Sequence, residues 1–147
     1  MKFSVKTEYG LRALIDLASQ ATPKPIGARE IAARQDIPER FLEQQITSLR
    51  KGGLVNSQRG AGGGCSLARA PETITVLEVI EVLDGPVMNM DCISQNGSSC
   101  RQSAHCVVQE LWLESQGKLR EYLGSVSIAD LVGRQREKAE TGLTFQT

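Results

Sequence analysis

No stretch of this chain approaches the roughly 18 consecutive apolar residues that a membrane-spanning helix needs. The best apolar run, Leu11 to Ala18, is broken by Arg12 and Asp16. The start lacks the basic, apolar and small-residue blocks of a secretory signal, so no membrane partner and a cytoplasmic location are expected. The catalytic repertoire is equally bare. There is no nucleophile–base pair and no paired-carboxylate site, and Gly62-Gly63-Gly64 is not followed by the Lys-Ser/Thr of a phosphate loop. An enzyme is not expected.

Net charge is also missing, with 17 basic residues against 17 acidic ones, but the balance conceals a division. Residues 1–70 carry eleven Lys/Arg against six Asp/Glu, a balance of +5, whereas residues 71–147 carry six against eleven, a balance of −5. A polyanion is attracted only to the first half, because phosphate contacts and counterion release depend on local positive charge.

Apolar periodicity supplies the elements. Leu11, Leu14, Ile15 and Ala18 fall at i, i+3, i+4 and i+7, predicting a helix from about Ser4 to Ala21 that Pro23 and Pro25 end. A short helix fits Gly27 to Gln35, with Ile31 and Ala32 facing inward. After the Asp36-Ile37-Pro38 break, a third helix is expected over about Pro38 to Lys51. Its buried stripe would be Phe41, Leu42, Ile46 and Leu49, and Gly52-Gly53 stops it. Strands are expected at Leu54–Gln58 and Gly64–Ala68, joined by the hairpin tip Arg59-Gly60-Ala61-Gly62-Gly63. This order predicts a mainly α chain whose residues 1–70 form a winged helix-turn-helix with a two-stranded wing. In that plan the third helix enters the major groove of double-stranded DNA and the hairpin reaches the flanking backbone or minor groove. Residues 71–104 are expected to hold a linking helix marked by Val76, Val79, Ile80 and Leu83, then a cysteine-bearing loop. Residues 105–147 are expected to hold a long helix from about His105 to Leu123 and a last helix from Ile128 to about Glu140, capped by Ser127.

The long helix carries Val108, Leu111, Trp112, Ser115, Leu119 and Tyr122 on one stripe. Two readings stand, packing within the monomer or a two-fold homodimer interface; the second suits a domain that reads two half-sites of a palindromic operator. Cys92, Cys100 and Cys106 follow the spacing C-x7-C-x5-C. Clustered cysteines in a cytoplasmic protein serve metals or redox chemistry more often than structural disulfides, and soft thiolates select zinc or iron–sulfur clusters. The uneven spacing is unlike a C-x2-C zinc knuckle. The fourth cysteine, Cys65, falls in a wing strand and reads as a small buried apolar residue.

The chain resembles the winged-helix transcription regulators that include IscR, NsrR and CymR. The residues concerned are Met1-Lys2-Phe3-Ser4, Tyr9-Gly10-Leu11-Arg12-Ala13-Leu14, Glu30-Ile31-Ala32, Phe41-Leu42-Glu43-Gln44 and Leu49-Arg50-Lys51-Gly52-Gly53-Leu54-Val55. They continue through Arg59-Gly60-Ala61-Gly62-Gly63-Gly64 and from Ile74-Thr75-Val76 to Leu83-Asp84-Gly85-Pro86. Cys65 departs from the pattern, which usually places an aromatic residue after the glycines.

The resemblance implies that Arg40, Glu43 and Gln44 reach base edges, while Arg59 and Gly60 on the hairpin lie against the minor groove. Glu43 is then either a base reader or solvated away from the DNA. It further implies that Cys92, Cys100 and Cys106 hold one iron–sulfur cluster per subunit, [4Fe–4S] or [2Fe–2S]. The cluster would switch operator affinity, probing iron, nitric oxide or redox state, in a regulator expected to be a repressor. The IscR histidine, three residues past its last cysteine, is replaced by Gln109. In NsrR a carboxylate near the N-terminus, donated by the other subunit, is the fourth ligand, and Glu8 occupies the matching place. His105, a water or a small thiol are the alternatives, His105 being awkward because it directly precedes Cys106. Two other expectations stand beside this one. The first is a cluster-free regulator controlled by a partner protein or thiol oxidation; the second is a zinc or redox adaptor that binds protein through its acidic half.

Overall fold

The computed structural model describes residues 3–93 and 105–145, which form six α-helices and one two-stranded sheet. Helix α1 (Val5–Ala18) begins where Ser4 caps it, the Ser4 Oγ accepting from the Thr7 amide at 3.3 Å. It ends three residues before the expected boundary. The Ser19 amide and hydroxyl both bond to the Ile15 carbonyl, at 2.9 and 2.7 Å, and satisfy the final turn. Helix α2 (Ala28–Gln35) closes on Asp36 in the left-handed region, φ 52°, which a short polar side chain tolerates. Pro38 then caps α3 (Glu39–Lys51) from just outside its first turn.

The end of α3 shows how far local sequence dictates backbone. Gly53 adopts φ 77°, the Leu54 amide bonds to the Leu49 carbonyl at 2.9 Å, and the Gly53 amide bonds to Arg50 at 3.0 Å. This paired closure turns the chain directly into the wing. Strands β1 (Val55–Gln58) and β2 (Gly64–Leu67) pair antiparallel with Val55 opposite Leu67 and Gln58 opposite Gly64. Gly60, φ 99°, supplies a left-handed bend at the tip. One pairing was not anticipated. Ile26 bridges Cys65 through two bonds of 2.8 and 2.9 Å, so β2 is flanked on both sides and Cys65 is buried. Gly64 lets that approach happen, since a Cβ there would strike the Ile26 carbonyl.

A 3-10 turn at Pro71–Thr73 leads to α4 (Val76–Asp84), capped by Thr75. Helix α5 (Val107–Ser125) and helix α6 (Ile128–Phe145) follow, α6 running five residues past the expected Glu140. Ser127 and Asp130 cap α6 reciprocally at 2.9 and 3.0 Å. Helix α1 is the centre of the fold, packed against α2, α3, α4 and α6. Leu14, Ile31, Leu42 and Leu49 fill the main core, which Ile74, Val79 and Ile128 join from beyond residue 70. Val76, Ile80, Val87 and Val126 form a second, smaller core against α5. No described helix is long and apolar enough to cross a membrane.

Candidate functional site

Helix α3 turns Leu42, Gln45, Ile46 and Leu49 into the core and leaves Arg40, Glu43, Gln44 and Thr47 exposed on the other side. Phe41 corrects the expected buried stripe: it is 54% exposed. At about 100° per residue the inward face centres between positions 42 and 49, from which 41 points roughly 90° away and 45 only about 50°, so Gln45 takes the inward place. Arg59 and Gly60 sit at the exposed hairpin tip. Charge is distributed unequally over the first half. Arg12, Arg34 and Arg69 are committed to ion pairs with Glu8, Asp16 and Glu30, and Glu78, whereas Arg40, Arg50 and Arg59 enter none among the described residues. Of these uncommitted guanidinium groups Arg40 and Arg50 lie on α3 and Arg59 on the wing, with Arg29 also unpaired on α2, and a polyanion meets such groups at a low desolvation cost.

The cysteine-bearing segment begins where α4 ends at Gly85, φ 84°. It is strapped along α5 by two glutamines seven residues apart, hence on one face of that helix. The Gln116 Nε2 donates to the Val87 carbonyl at 3.0 Å, and the Gln109 Nε2 donates to the Cys92 carbonyl at 2.5 Å. Gln109 also donates its amide to the Cys106 Sγ at 3.4 Å, making Cys106 the cap of α5. One residue therefore meets both cysteines near the start of α5, Cys92 through its side chain and Cys106 through its backbone amide. Both are half-buried free thiols. Cys100 lies outside the described residues. Cys65, also a free thiol, is sealed in the wing, and burial pushes its thiol pKa up.

Glu8 is exposed in the first turn of α1 and pairs with Arg12 at 3.7 Å. Within one chain it does not join Cys92 and Cys106, because no three His, Cys, Asp or Glu side chains converge among the described residues. His105 is exposed just before Cys106. The first turn of α1 is nevertheless tied toward the cysteine segment by Asp84. Its carboxylate accepts from the Ser4 amide at 3.2 Å, from the Ser4 hydroxyl at 2.5 Å and from the Thr7 hydroxyl. Partial burial pushes the Asp84 carboxyl up, but these donors outweigh it and hold the group below its ordinary range.

Residues 3–134 match the family Rrf2, described as "Iron-dependent Transcriptional regulator". The chain belongs to the Rrf2 family. Among Rrf2-family relatives, the regulator IscR of Xenorhabdus nematophila is 36% identical over 135 residues, covering 92% of this chain and 81% of that protein. The regulator CymR of Bacillus subtilis is 35% identical over 131 residues, covering 89% of each. Among solved structures, CymR, the global cysteine regulator of B. subtilis, superposes with a TM-score of 0.76 at 33% identity, covering 91% of this chain and 98% of that one. The IscR of T. potens gives 0.75 at 36% identity, covering 94% and 90%. This Rrf2-family chain is thus a helix-turn-helix transcriptional regulator that binds DNA, and not an enzyme. The mainly α, winged-helix architecture expected from sequence is the architecture found.

Proposed function

We propose that this protein is a homodimeric repressor whose operator affinity is switched by an iron–sulfur cluster. The observation that carries the proposal is the double hold of Gln109 on Cys92 and Cys106 at the start of α5. The donor set fits such a group. Two half-buried thiols are free of disulfides, and one accepts an amide hydrogen bond of the kind that tunes cluster sulfurs. Cys92, Cys100 and Cys106 would hold the cluster, with Glu8 donated across the dimer as fourth ligand ahead of His105. When bound, the cluster supplies a centre that nitric oxide, oxygen or chelators alter. In this reading residues 1–70 contact DNA, residues 71–104 carry the switch, and within residues 105–147 the long helix α5 pairs the subunits ahead of the C-terminal helix. Anaerobically purified protein is expected to be coloured, with visible absorbance and bound iron and sulfide, all lost in Cys92→Ser and Cys106→Ser. A colourless protein with stoichiometric zinc overturns the proposal. A colourless, metal-free protein whose DNA affinity follows thiol oxidation favours the cluster-free reading, which the likeness to CymR supports.

For the DNA contacts, Arg40, Glu43 and Gln44 would meet base edges and Arg59 and Gly60 the flanking groove. Arg pairs with guanine, Gln with adenine, and a carboxylate accepts from the cytosine amine. Phe41, exposed beside them, offers an apolar face to a thymine methyl group. Arg59→Ala is expected to weaken binding on all duplexes and lower the salt dependence by about one counterion. Glu43→Ala is expected instead to relax preference at one base position by about 1–3 kcal/mol. Titrations on specific and scrambled duplexes at several salt concentrations test the pair; equal effects of the two changes would remove the assignment.

A further inference from the structure

Three consecutive residues end α4, immediately before the segment that carries Cys92, and each meets a different part of the DNA-reading half. The Val82 methyl groups lie 2.7 and 2.8 Å from where a Cβ on Gly52 would stand, so α4 abuts the backbone that terminates the recognition helix. Leu83 occupies the space above Gly10, where a Cβ would collide with its methyl group, in the middle of α1. Asp84 holds Ser4 and Thr7 at the start of α1. Thr7 is buried, and Asp84 is the acceptor of its hydroxyl.

The placement of Asp84 runs against local preference. An acidic side chain at a helix C-terminus opposes the helix dipole, and the last turn of α4 has no basic residue to offset it. A local conflict of this kind marks a position kept for a task outside its own helix. On the other side the cysteine segment is fastened to α5 at Val87 and Cys92. Anchored at both ends, the short stretch has little slack in which a displacement could be absorbed.

We propose that the last turn of α4, Val82-Leu83-Asp84, transmits a change at the cysteine-bearing segment to α1 and to the end of the recognition helix. Asp84 acts as the positioning residue for the first turn of α1. The inference rests on the reading of that segment as the sensing element, but not on what the cysteines bind.

The test uses metal-free full-length protein, with its accessible thiols modified by N-ethylmaleimide while Cys65 stays sealed in the wing. Hydrogen exchange is followed by peptide, and affinity is measured on a duplex selected from a random pool. In the wild type, modification is expected to raise exchange in the first turn of α1 and the last turn of α3, and to shift affinity by about tenfold. Asp84→Ala is expected to raise exchange in the first turn of α1 without modification and to cut the affinity shift to below about threefold. Gly52→Ala keeps an ordinary helical backbone but pushes α4 off α3; it is expected to retain the α1 response and lose the α3 response. Asp84→Asn, which keeps one acceptor oxygen, guards against a variant that fails to fold and should fall between wild type and Asp84→Ala. A wild type indifferent to modification, or an Asp84→Ala protein with the full affinity shift, overturns the proposal. Failure of the cluster reading is seen separately, in the absorbance and iron content of the anaerobic protein.

Discussion

Arg34→Met is expected to destabilise the protein by about 3–5 kcal/mol, the range for stranding one member of a buried ion pair. Asp16 is only 4% exposed, on the α1 face toward α2, and it is held from several directions. The Arg34 Nε and Nη2 donate to its two oxygens at 3.0 and 2.6 Å, and the Gln35 Nε2 adds a third bond at 3.0 Å. Bonding to Asp16 holds the Arg34 guanidinium above its ordinary pKa although burial acts the other way. Removing Arg34 leaves a desolvated carboxylate with amide donors alone. The loss is a large fraction of the roughly 5–15 kcal/mol that stabilises a domain of this kind. Asp16→Asn should be milder, because Arg34 is a third exposed and can turn to water. The double change Asp16→Leu with Arg34→Met should recover most of the loss, since an apolar pair of similar volume replaces the ion pair without unpaired charge. Urea unfolding of these variants checks the order. A single Arg34→Met within about 0.5 kcal/mol of wild type would show the pair to be dispensable.

That pair also shows what could not be read from the chain. In the sequence Asp16 is merely an interruption of an apolar run; its partner lies 18 residues away on another helix. The elements themselves were legible because their signals are local. Ser127 caps, Gly52-Gly53 closes, and Leu42, Ile46 and Leu49 repeat at helical spacing. Phe41 was misplaced because two adjacent apolar residues share one pattern, and only the packed neighbour decides which faces inward. Ile26 was missed as a strand because a single bridging residue has no periodicity. At the candidate site, cysteine spacing singled out the segment, and the exposed α3 positions followed from helical phase. The glutamine straps did not, since Gln109 and Gln116 seek backbone carbonyls 17 and 29 residues away and any polar surface residue looks the same in sequence. Asp84 was hidden for the same reason, its donors lying about 80 residues earlier.

Leu111→Asp is expected to convert the protein to a monomer and to lower operator affinity by about 10²- to 10⁴-fold, the gain that linking two binding modules provides. Helix α5 runs for 19 residues without a single buried side chain. Of the nine large apolar residues exposed among the described residues, five lie on it: Val107, Val108, Leu111, Leu113 and Tyr122. One side of the helix is already occupied, because Gln109 and Gln116 strap the cysteine segment and Arg120 pairs with Glu81. Val108, Leu111 and Tyr122 continue around a different side, with Trp112 half-buried among them, and Leu111 is 53% exposed. An apolar stripe of this length on one helix suits the homodimer proposed above, and a two-fold axis through it would set two recognition helices on successive half-sites. A carboxylate at Leu111 meets its own symmetry mate or apolar side chains across such an axis, and either arrangement leaves an unpaired charge out of water. The fold of the single chain should be untouched, since Leu111 takes part in neither core. Sedimentation analysis together with DNA titration checks the expectation, and Lys138→Glu on the exposed face of α6 serves as a control that should change neither. A wild-type monomer, or a Leu111→Asp protein that remains a dimer with full affinity, would place the two-fold contact elsewhere on the molecule.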